Sequence, residues 1–387
     1  MRCNGHLLLN NEKMSKSTGN FKTLGEAIQE YSADGMRFAL ADAGDSMEDA
    51  NFVHDTANAA ILRLTKECDW MDEVLNTSPC SRTGDLPFHD QVFKSAISLC
   101  AGKCIKAYEI MLFREALQTG FYQLQSARDE YRFQCGQEGM HADLIRTFCE
   151  VQTKLLAPFC PHTMEHVWCS VLKMEGQVVN SGLPSLPEPD LLVYQSGKFM
   201  EGVISDLRSS VQKAQAPPKK KKKGPAMPKM KVTGIRLVVG PEYTGWRRVA
   251  IESLAKMHSE SGSAPDNATL EATVLEAMQA NEETKDMTKK DLKMLVLPFA
   301  KFMRDRAISI GEEVLRTKSA VDELTVLTDN LSYLKRVLKV EDITVTDVSS
   351  KGDLDIKEAY PGNPGVVLVK EEDVPVEKKV EEMSLDK

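Results

Sequence analysis

Residues Leu7–Ala27 read LLLNNEKMSKSTGNFKTLGEA, and this stretch predicts a short strand, a loop and a helix in succession. Thr23 followed three residues later by Glu26 is the capping-box pattern of a helix start. The loop before it carries Lys13, Lys16 and several hydroxyl groups, which are groups that bind phosphate oxygens. The N-terminus of the following helix is expected to add to the positive electrostatic potential of these lysines. By residue chemistry alone, a solvated basic turn explains the loop about as well as a phosphate site does.

The region from about Met47 to Leu172 is predicted to be a helical bundle. Apolar residues recur there at helical spacing, and Gly/Pro-containing breaks separate four or five segments, which is the pattern of antiparallel helices joined by short loops. The first of these helices is expected to include Phe52. Before the bundle, Ser32 and Asp34 offer a second helix start inside the segment that Thr23 opens.

The C-terminal region has a different pattern. Residues 231–240 (KVTGIRLVVG), 341–348 and 365–370 alternate or are apolar like strands. Helical segments, the last of them at 321–337, lie between them, which predicts a small α+β domain. The stretch QAPPKKKKKGPAMPKMK at 215–231 is predicted to be an extended linker because it combines prolines with like charges.

Composition sets limits on the class of protein. A length of 387 residues predicts two or three folded units. No run of about 18 apolar residues occurs, so we expect no membrane span, and the first residues lack the apolar core of a signal peptide. Nine cysteines without paired spacing favour a reducing cytosol. The net charge of −8 is uneven, because residues 213–231 hold eight lysines and no acid.

Several motifs resemble one enzyme family. Lys13-Met14-Ser15-Lys16-Ser17 resembles the KMSKS signature of class I aminoacyl-tRNA synthetases. The sequence around this motif, together with SADGMRFALADAG and DANF, is similar to that of leucyl-tRNA synthetases of the eukaryotic and archaeal type. It resembles the isoleucine and valine enzymes less. LLAPFCPHTMEHVW at 155–168, LTVLTDNLSYLKRVLKVEDITV at 324–345 and PGNPG at 361–365 resemble later parts of the same family, in family order.

The resemblance implies a mainly α chain with five parts. Residues 1–46 would be the tail of a Rossmann-type catalytic domain that carries the KMSKS loop, and 47–175 an α-helical bundle of the anticodon-binding type that contacts tRNA. Residues 176–231 would be a connector with the lysine-rich linker, 232–370 the small α+β C-terminal domain, and 371–387 a disordered acidic tail.

The resemblance also implies the chemistry. A leucine–tRNA ligase joins leucine to tRNA(Leu) with ATP and Mg²⁺ in the cytoplasm, and the family leaves room for a multi-synthetase assembly. Lys16 matches the lysine that stabilises charge on the triphosphate during catalysis. Lys13, Ser15 and Ser17 match supporting ATP-binding positions.

One signature of the complete family is missing from these residues. No H-x-G-H occurs, so the HIGH-like helix is absent from the sequence. We therefore expect this polypeptide to represent the C-terminal portion of a synthetase and not to form leucyl-adenylate by itself. The alternative is a non-catalytic tRNA-binding or assembly module derived from a synthetase.

Other candidate sites have competing interpretations. Three interpretations suit the lysine run: a solvated tether between domains, a phosphate-tracking tRNA contact and a nuclear-import signal. The tether is the simplest of them, and the candidate tRNA-binding residues are Lys219, Lys220, Lys221, Lys222 and Lys223. Outer-face cations on the bundle, Arg63, Lys66, Lys103 and Lys106, are further candidates for the tRNA backbone. His162, His166 and Cys169 follow metal-ligand spacing along a helix, but apolar neighbours favour packing, and we predict no structural metal.

Overall fold

The computed structural model describes residues 5–44, 48–216, 230–261, 265–348 and 359–372. Within these ranges the chain divides into two units, Met1–Tyr194 and Gln195–Lys387. The division falls inside the predicted connector. Lys219–Lys223 and residues 373–387 of the predicted acidic tail lie outside the described residues. Strand residues continue to Glu372, so the first two positions assigned to the tail belong to a sheet.

The first unit begins with a small sheet and continues as helices. Strand β1 pairs antiparallel with β2 and parallel with β3, in the order β2-β1-β3. The bounds are β1 Leu7–Leu9, β2 Glu12–Lys13, α1 Leu24–Ala43, β3 Ala50–Phe52, α2 His54–Asp72, α3 Phe88–Glu109, α4 Phe113–Leu117, α5 Leu124–Cys135, α6 Ala142–Leu156 and α7 Pro161–His166. Single π-helical segments extend α2, join α4 to α5 and extend α7, at Glu73–Thr77, Gln118–Gln123 and Val167–Val171.

The bundle core is apolar and densely interlocked. Phe121 is fully buried, and its ring meets that of Phe38 on α1 edge to face, with centroids 5.1 Å apart. Gly120 lets its own segment pack closely against α3, because a Cβ there would lie 2.6 Å from the sulfur of Cys104. Burying an aromatic side chain of this size contributes about 2–3 kcal/mol. Helix α1 therefore packs into the bundle core.

The second unit is the α+β domain. Helix α8, Leu191–Gln215, begins at the end of the first unit, and its later residues pack in the apolar core of the second. The other bounds are β4 Met230–Val239, α9 Gly245–Ser261, α10 Asn267–Ala280, α11 Lys289–Asp291, α12 Leu297–Ile310, α13 Glu323–Asp329, α14 Leu331–Leu338, β5 Asp342–Asp347 and β6 Gly365–Glu372. Strand β4 lies in the centre, parallel to β5 and antiparallel to β6.

The mainly α fold class, with its bundle and small sheets, is confirmed, and two local predictions were wrong. Phe52 lies in β3, where it pairs with Leu9, and not in the first bundle helix, which begins at His54. The helix predicted over 321–337 is broken at Asn330 into α13 and α14. No described helix is both long and apolar enough to cross a membrane.

Candidate functional site

The lysine-bearing loop grows from the β1–β2 hairpin. Asn10 and Asn11 form its turn with φ values of 51° and 67°, a left-handed conformation that asparagine tolerates better than most residues. The Asn11 backbone N–H donates to Asn51 Oδ1, and Asn51 Nδ2 donates back to Asn11 Oδ1, both at 2.7 Å. These bonds attach the hairpin to β3, so the loop starts from a fixed base.

Asn20 closes the far side of the loop. Its Nδ2 lies 3.3, 3.4 and 3.3 Å from the carbonyl oxygens of Leu9, Glu12 and Lys13. The backbone carbonyl of Asn20 accepts from the Ser15 backbone N–H at 2.9 Å. One side chain thus ties the end of the loop to both hairpin strands. A carboxamide can do this because it carries two N–H donors.

The candidate ATP-binding side chains lie together on this loop. Lys13, Lys16 and Ser17 are exposed and Ser15 is half-buried. The hydroxyl oxygens of Ser15 and Ser17 are 2.8 Å apart. Neither lysine ammonium forms an ion pair with any described residue. Gly19, at φ 75°, completes the turn that begins at Lys16. The arrangement leaves two cations and two hydroxyls available to an anionic group.

The start of helix α1 is closed by its own side chains. The Thr23 backbone N–H donates to Glu26 Oε2 at 2.9 Å, and the Glu26 N–H donates to Thr23 Oγ1 at 3.3 Å, so the predicted capping box is confirmed. Hydrogen bonds from Thr23 hold the pKa of Glu26 below its usual range. An ionised carboxylate at this end offsets the helix field. The positive potential at the loop therefore comes mainly from the lysines.

A polar network beneath the loop was not predicted from the sequence. Lys22 Nζ donates to Glu30 and lies 3.4 Å from the Tyr31 hydroxyl, which is 2.6 Å from His54 Nδ1. The bond to Glu30 raises the pKa of Lys22 and lowers that of the carboxyl, whereas burial raises the pKa of Tyr31. The network connects the loop's last turn to α1 and α2.

A second helix start within α1 leads to the bundle. Ser32 has φ 61° and ψ 162°, and its Oγ accepts from the Gly35 N–H at 3.1 Å, as the sequence predicted. Arg37 Nη2 donates to Asp34 Oδ1 at 2.5 Å, and its Nε donates to the Phe159 carbonyl at 2.8 Å. The loop-bearing segment is thereby bonded to the bundle.

The candidate tRNA-contacting cations of the bundle are on its surface. Arg63, Lys66, Lys103 and Lys106 are all exposed. The Arg63 guanidinium lies over the Tyr122 ring at 5.4 Å and donates to its hydroxyl at 3.2 Å. This contact holds one cation in a fixed orientation on the outside of the bundle.

The histidines with metal-ligand spacing do not converge on one point. His162, His166 and Cys169 line a groove, but the Cys169 thiol is directed to Glu165 Oε1, at 3.6 Å. Among the described residues, one group has three potential ligand atoms within 4.8 Å of one another, and it is His89, Asp90 and Cys135.

An arginine guanidinium takes the place a cation would have in that group. Arg82 donates to both Asp90 oxygens, at 2.7 and 2.5 Å, and the Tyr131 hydroxyl donates to Oδ1 at 2.6 Å. Burial acts to raise the pKa of Asp90, but the bonds from Arg82 and Tyr131 outweigh it and the pKa is lowered. The Asp90 carboxylate is therefore satisfied by hydrogen bonds from within the bundle, and the absence of a structural metal stays a prediction.

The cysteines on the bundle helices act as core residues. Cys100 and Cys104 are buried on α3, and the Cys104 thiol donates to the Ala116 carbonyl at 3.2 Å. Burial raises the pKa of Cys104 to about 12 and that of Cys68 to about 11. Thiols with these pKa values are poor nucleophiles near neutral pH.

Comparison with known proteins gives two family matches and a set of close relatives. Residues 90–225 match the anticodon-binding domain of tRNA ligase, and residues 1–63 match class I tRNA synthetases of the M group. The cytoplasmic leucine–tRNA ligase of Arabidopsis thaliana is 41% identical over 389 residues, covering 95% of this chain and 35% of that protein.

Two further relatives give the same result. The cytoplasmic leucine–tRNA ligase of Pongo abelii is 40% identical over 94% of this chain, and that of Saccharomyces cerevisiae is 32% identical over 95%. The matches cover 30% and 34% of those proteins. The chain therefore spans about a third of the length of the curated relatives it matches.

Proposed function

Because this chain belongs to the leucine–tRNA ligase family, we propose that it supplies the ATP-contacting loop and the tRNA-contacting body of a cytoplasmic enzyme that joins leucine to tRNA(Leu). The observation that carries the proposal is the loop from Lys13 to Asn20. It presents two exposed ammonium groups and a hydroxyl pair on a hairpin that Asn20 and Asn51 hold in place.

The residues present suit a nucleotide triphosphate. Ammonium and hydroxyl groups donate to phosphate oxygens, and Mg²⁺ would arrive with ATP as part of the substrate. When the leucine carboxylate attacks the α-phosphate, negative charge grows on the departing pyrophosphate. The Lys16 ammonium stabilises that charge, while Lys13, Ser15 and Ser17 orient the phosphates. No covalent intermediate with the protein is needed.

The bundle and the lysine run would hold the RNA. Arg63, Lys66, Lys103 and Lys106 are exposed cations within or beside the segment that matches an anticodon-binding domain. Lys219–Lys223 add five charges within that same segment. Phosphate contacts of this kind supply affinity and register without reading sequence.

A second candidate function is a tRNA-binding module without catalysis. It is favoured by the lack of H-x-G-H anywhere in the 387 residues. We expect the purified chain to bind tRNA(Leu) and to show no leucine-dependent exchange of pyrophosphate into ATP. Exchange by the 387-residue chain alone would remove this second candidate.

The test of the first candidate restores the rest of the enzyme. The part of the Arabidopsis thaliana relative that this chain does not match is joined to it, and ATP–pyrophosphate exchange is measured. Lys16→Ala should lower exchange roughly 10²–10³-fold, the usual effect of removing one preorganised donor to a developing charge. Lys94→Ala, an exposed lysine on α3 to which no role is assigned, is the matched control. An equal rate for the two variants would exclude the proposed role of Lys16.

A further inference from the structure

A groove on the first unit is lined by polar groups that the proposed function does not use. Its volume is about 530 Å³, a size typical of sites for small organic ligands. One wall comes from residues within 187–193, which lead into α8, and from the loop just before α3. The facing wall is a polar stripe of α3, at positions i, i+3, i+4 and i+7, made of Gln91, Lys94, Ser95 and Ser98.

Two serine hydroxyls of this stripe have no partner within the chain. Ser95 and Ser98 have only 6% and 7% of their surface exposed, and both line the groove. Neither hydroxyl forms a hydrogen bond with any described residue. Hydroxyls on a helix can donate to the carbonyl four residues earlier, as Thr147 and Thr153 do on α6. Because buried polar groups are rarely left unpaired, the two serines indicate a partner that enters the groove.

Three carboxylates line the same groove and give it a negative charge. The side chains of Asp85 and Glu188 form no hydrogen bond or ion pair with any described residue. Oδ1 of Asp190 caps the start of α8, whereas its other oxygen accepts no hydrogen bond from the part of the chain that the structure describes. Lys94 is the one cation of the lining, and it pairs with none of these acids. The lining therefore disfavours phosphate and other anions.

The three carboxylates do not converge as the ligands of a metal ion would. Among the described residues, the one set of three such ligand atoms within 4.8 Å of one another is that of His89, Asp90 and Cys135. A divalent cation of the magnesium or calcium type needs its oxygen ligands around a single point. The groove is also lined by apolar residues, which are Leu86, Pro187 and Val193. A cation whose charges are separated by apolar groups suits this lining better than a single ion does.

We propose that this groove binds a linear aliphatic polyamine, a chain of methylene groups that carries two or more ammonium groups. The ammonium groups donate to the carboxylates of Asp85, Glu188 and Asp190. One of them also donates to the hydroxyls of Ser95 and Ser98, which accept with their free lone pairs. The methylene groups pack on the apolar residues of the lining.

Equilibrium dialysis of the complete chain against labelled spermidine, without ATP or tRNA, tests the proposal. Spermidine is a triamine and should bind saturably, with roughly submillimolar affinity at low salt. Hexaamminecobalt(III) carries the same charge on a compact ion and should compete roughly tenfold more weakly. Equal competition by hexaamminecobalt(III), or no saturable binding of spermidine, would overturn the proposal. Because no nucleotide or RNA is present, failure here leaves the proposed function standing.

Charge variants locate the binding. Asp85→Asn with Glu188→Gln removes two carboxylate charges from the groove and should weaken spermidine binding roughly tenfold. Glu73→Gln with Glu109→Gln removes the same charge from exposed acids that do not line the groove, and should leave the affinity unchanged. An equal loss in the two double variants would show that spermidine responds only to the overall negative charge of the chain, and the assignment to this groove would be wrong.

A neutral double variant tests the serine hydroxyls. Ser95→Ala with Ser98→Ala leaves the charge unaltered, and alanine favours a helix, so α3 should stay folded, which circular dichroism checks. The loss of two hydrogen-bond acceptors should weaken spermidine binding by roughly threefold to tenfold. Unchanged affinity in this variant would show that the polar stripe of α3 does not contact the ligand and would contradict the proposal.

Discussion

The carboxylate of Asp34 accepts two hydrogen bonds from Thr163, one from its backbone N–H and one from its hydroxyl, each at 2.7 Å. Asp34 is on α1, behind the lysine loop, and Thr163 is in the first turn of α7. One buried acid therefore caps a helix that begins more than a hundred residues later. Through this bond, and through Arg37, which pairs with Asp34 and donates to the Phe159 carbonyl, the segment that carries Lys16 is attached to the bundle.

Removing this cap should destabilise the first unit. Asp34→Ala leaves the Thr163 donors and the Arg37 guanidinium without their acceptor, and should lower the free energy of unfolding by about 2 kcal/mol. Urea unfolding followed by circular dichroism measures it. Asp69→Ala, an exposed acid on α2, is the control. In a double-mutant cycle, Thr163→Val should lower the free energy of unfolding less in the Asp34→Ala background than in the parent chain. Strictly additive losses would show that the two residues do not act together.

The lysine run should control the salt dependence of tRNA binding. Replacing Lys219–Lys223 by glutamine removes five charges, and if all five meet phosphates, the slope of log Kd against log salt should fall by about 4. Filter binding to tRNA(Leu) at several salt concentrations measures the slope. Lys378→Gln with Lys379→Gln, two lysines flanked by acids, is the control and should change it little. An unchanged slope in the five-lysine variant would leave a tether or an import signal as the explanation.

Glu323 should make the stability of the second unit depend on pH. Its pKa is raised from 4.5 to about 7 by burial, so the folded state binds the proton more tightly than the unfolded state. The folded state is therefore stabilised by this proton below about pH 4.5, and that stabilisation is lost as pH rises through 7. The difference between the two pKa values corresponds to about 3 kcal/mol of unfolding free energy. Glu323→Gln should abolish this slope and raise stability at pH 8. Hydrogen exchange of peptides covering 321–345 measures it, and a parallel pH profile in variant and parent would refute the assignment.

Local sequence signals predicted the parts of the fold that local chemistry determines. The capping box at Thr23 and Glu26 and the second start at Ser32 are contacts between residues three apart, and both are confirmed. The three strands of the second unit were predicted from alternation. The family resemblance, read from short motifs, is confirmed by relatives that match nearly the whole chain.

The missed features depend on partners far away in the sequence. Phe52 reads as helical, but pairing with β1, more than forty residues earlier, makes it a strand residue. The Asn20 carboxamide contacts carbonyls that no side-chain pattern reveals. One missed signal was readable: Asp190, whose Oδ1 accepts from the N–H groups of Leu192 and Val193, marks the start of α8.

The buried ion pair between Glu67 and Arg128 gives the sharpest stability prediction. Arg128 Nη1 donates to both Glu67 oxygens, at 2.6 and 2.7 Å, and its guanidinium lies 4.2 Å from the centre of the Trp70 ring. Burial already raises the pKa of Glu67 although Arg128 opposes it. Arg128→Met retains an apolar side chain for packing but leaves the buried Glu67 carboxylate without its counter-charge. It should lower the free energy of unfolding by about 3–5 kcal/mol at pH 7.5.

That cost should depend on the charge of Glu67. It should shrink toward pH 5, as the carboxyl takes up a proton, and the double variant Glu67→Gln with Arg128→Met should recover much of the loss, because no uncompensated charge then remains. Arg132→Met, which removes an exposed arginine one turn later, is the control and should cost less than about 1 kcal/mol. Urea unfolding at pH 5 and pH 7.5 compares all four proteins. If Arg128→Met costs no more than Arg132→Met at pH 7.5, the pair does not stabilise the bundle in the way its burial implies.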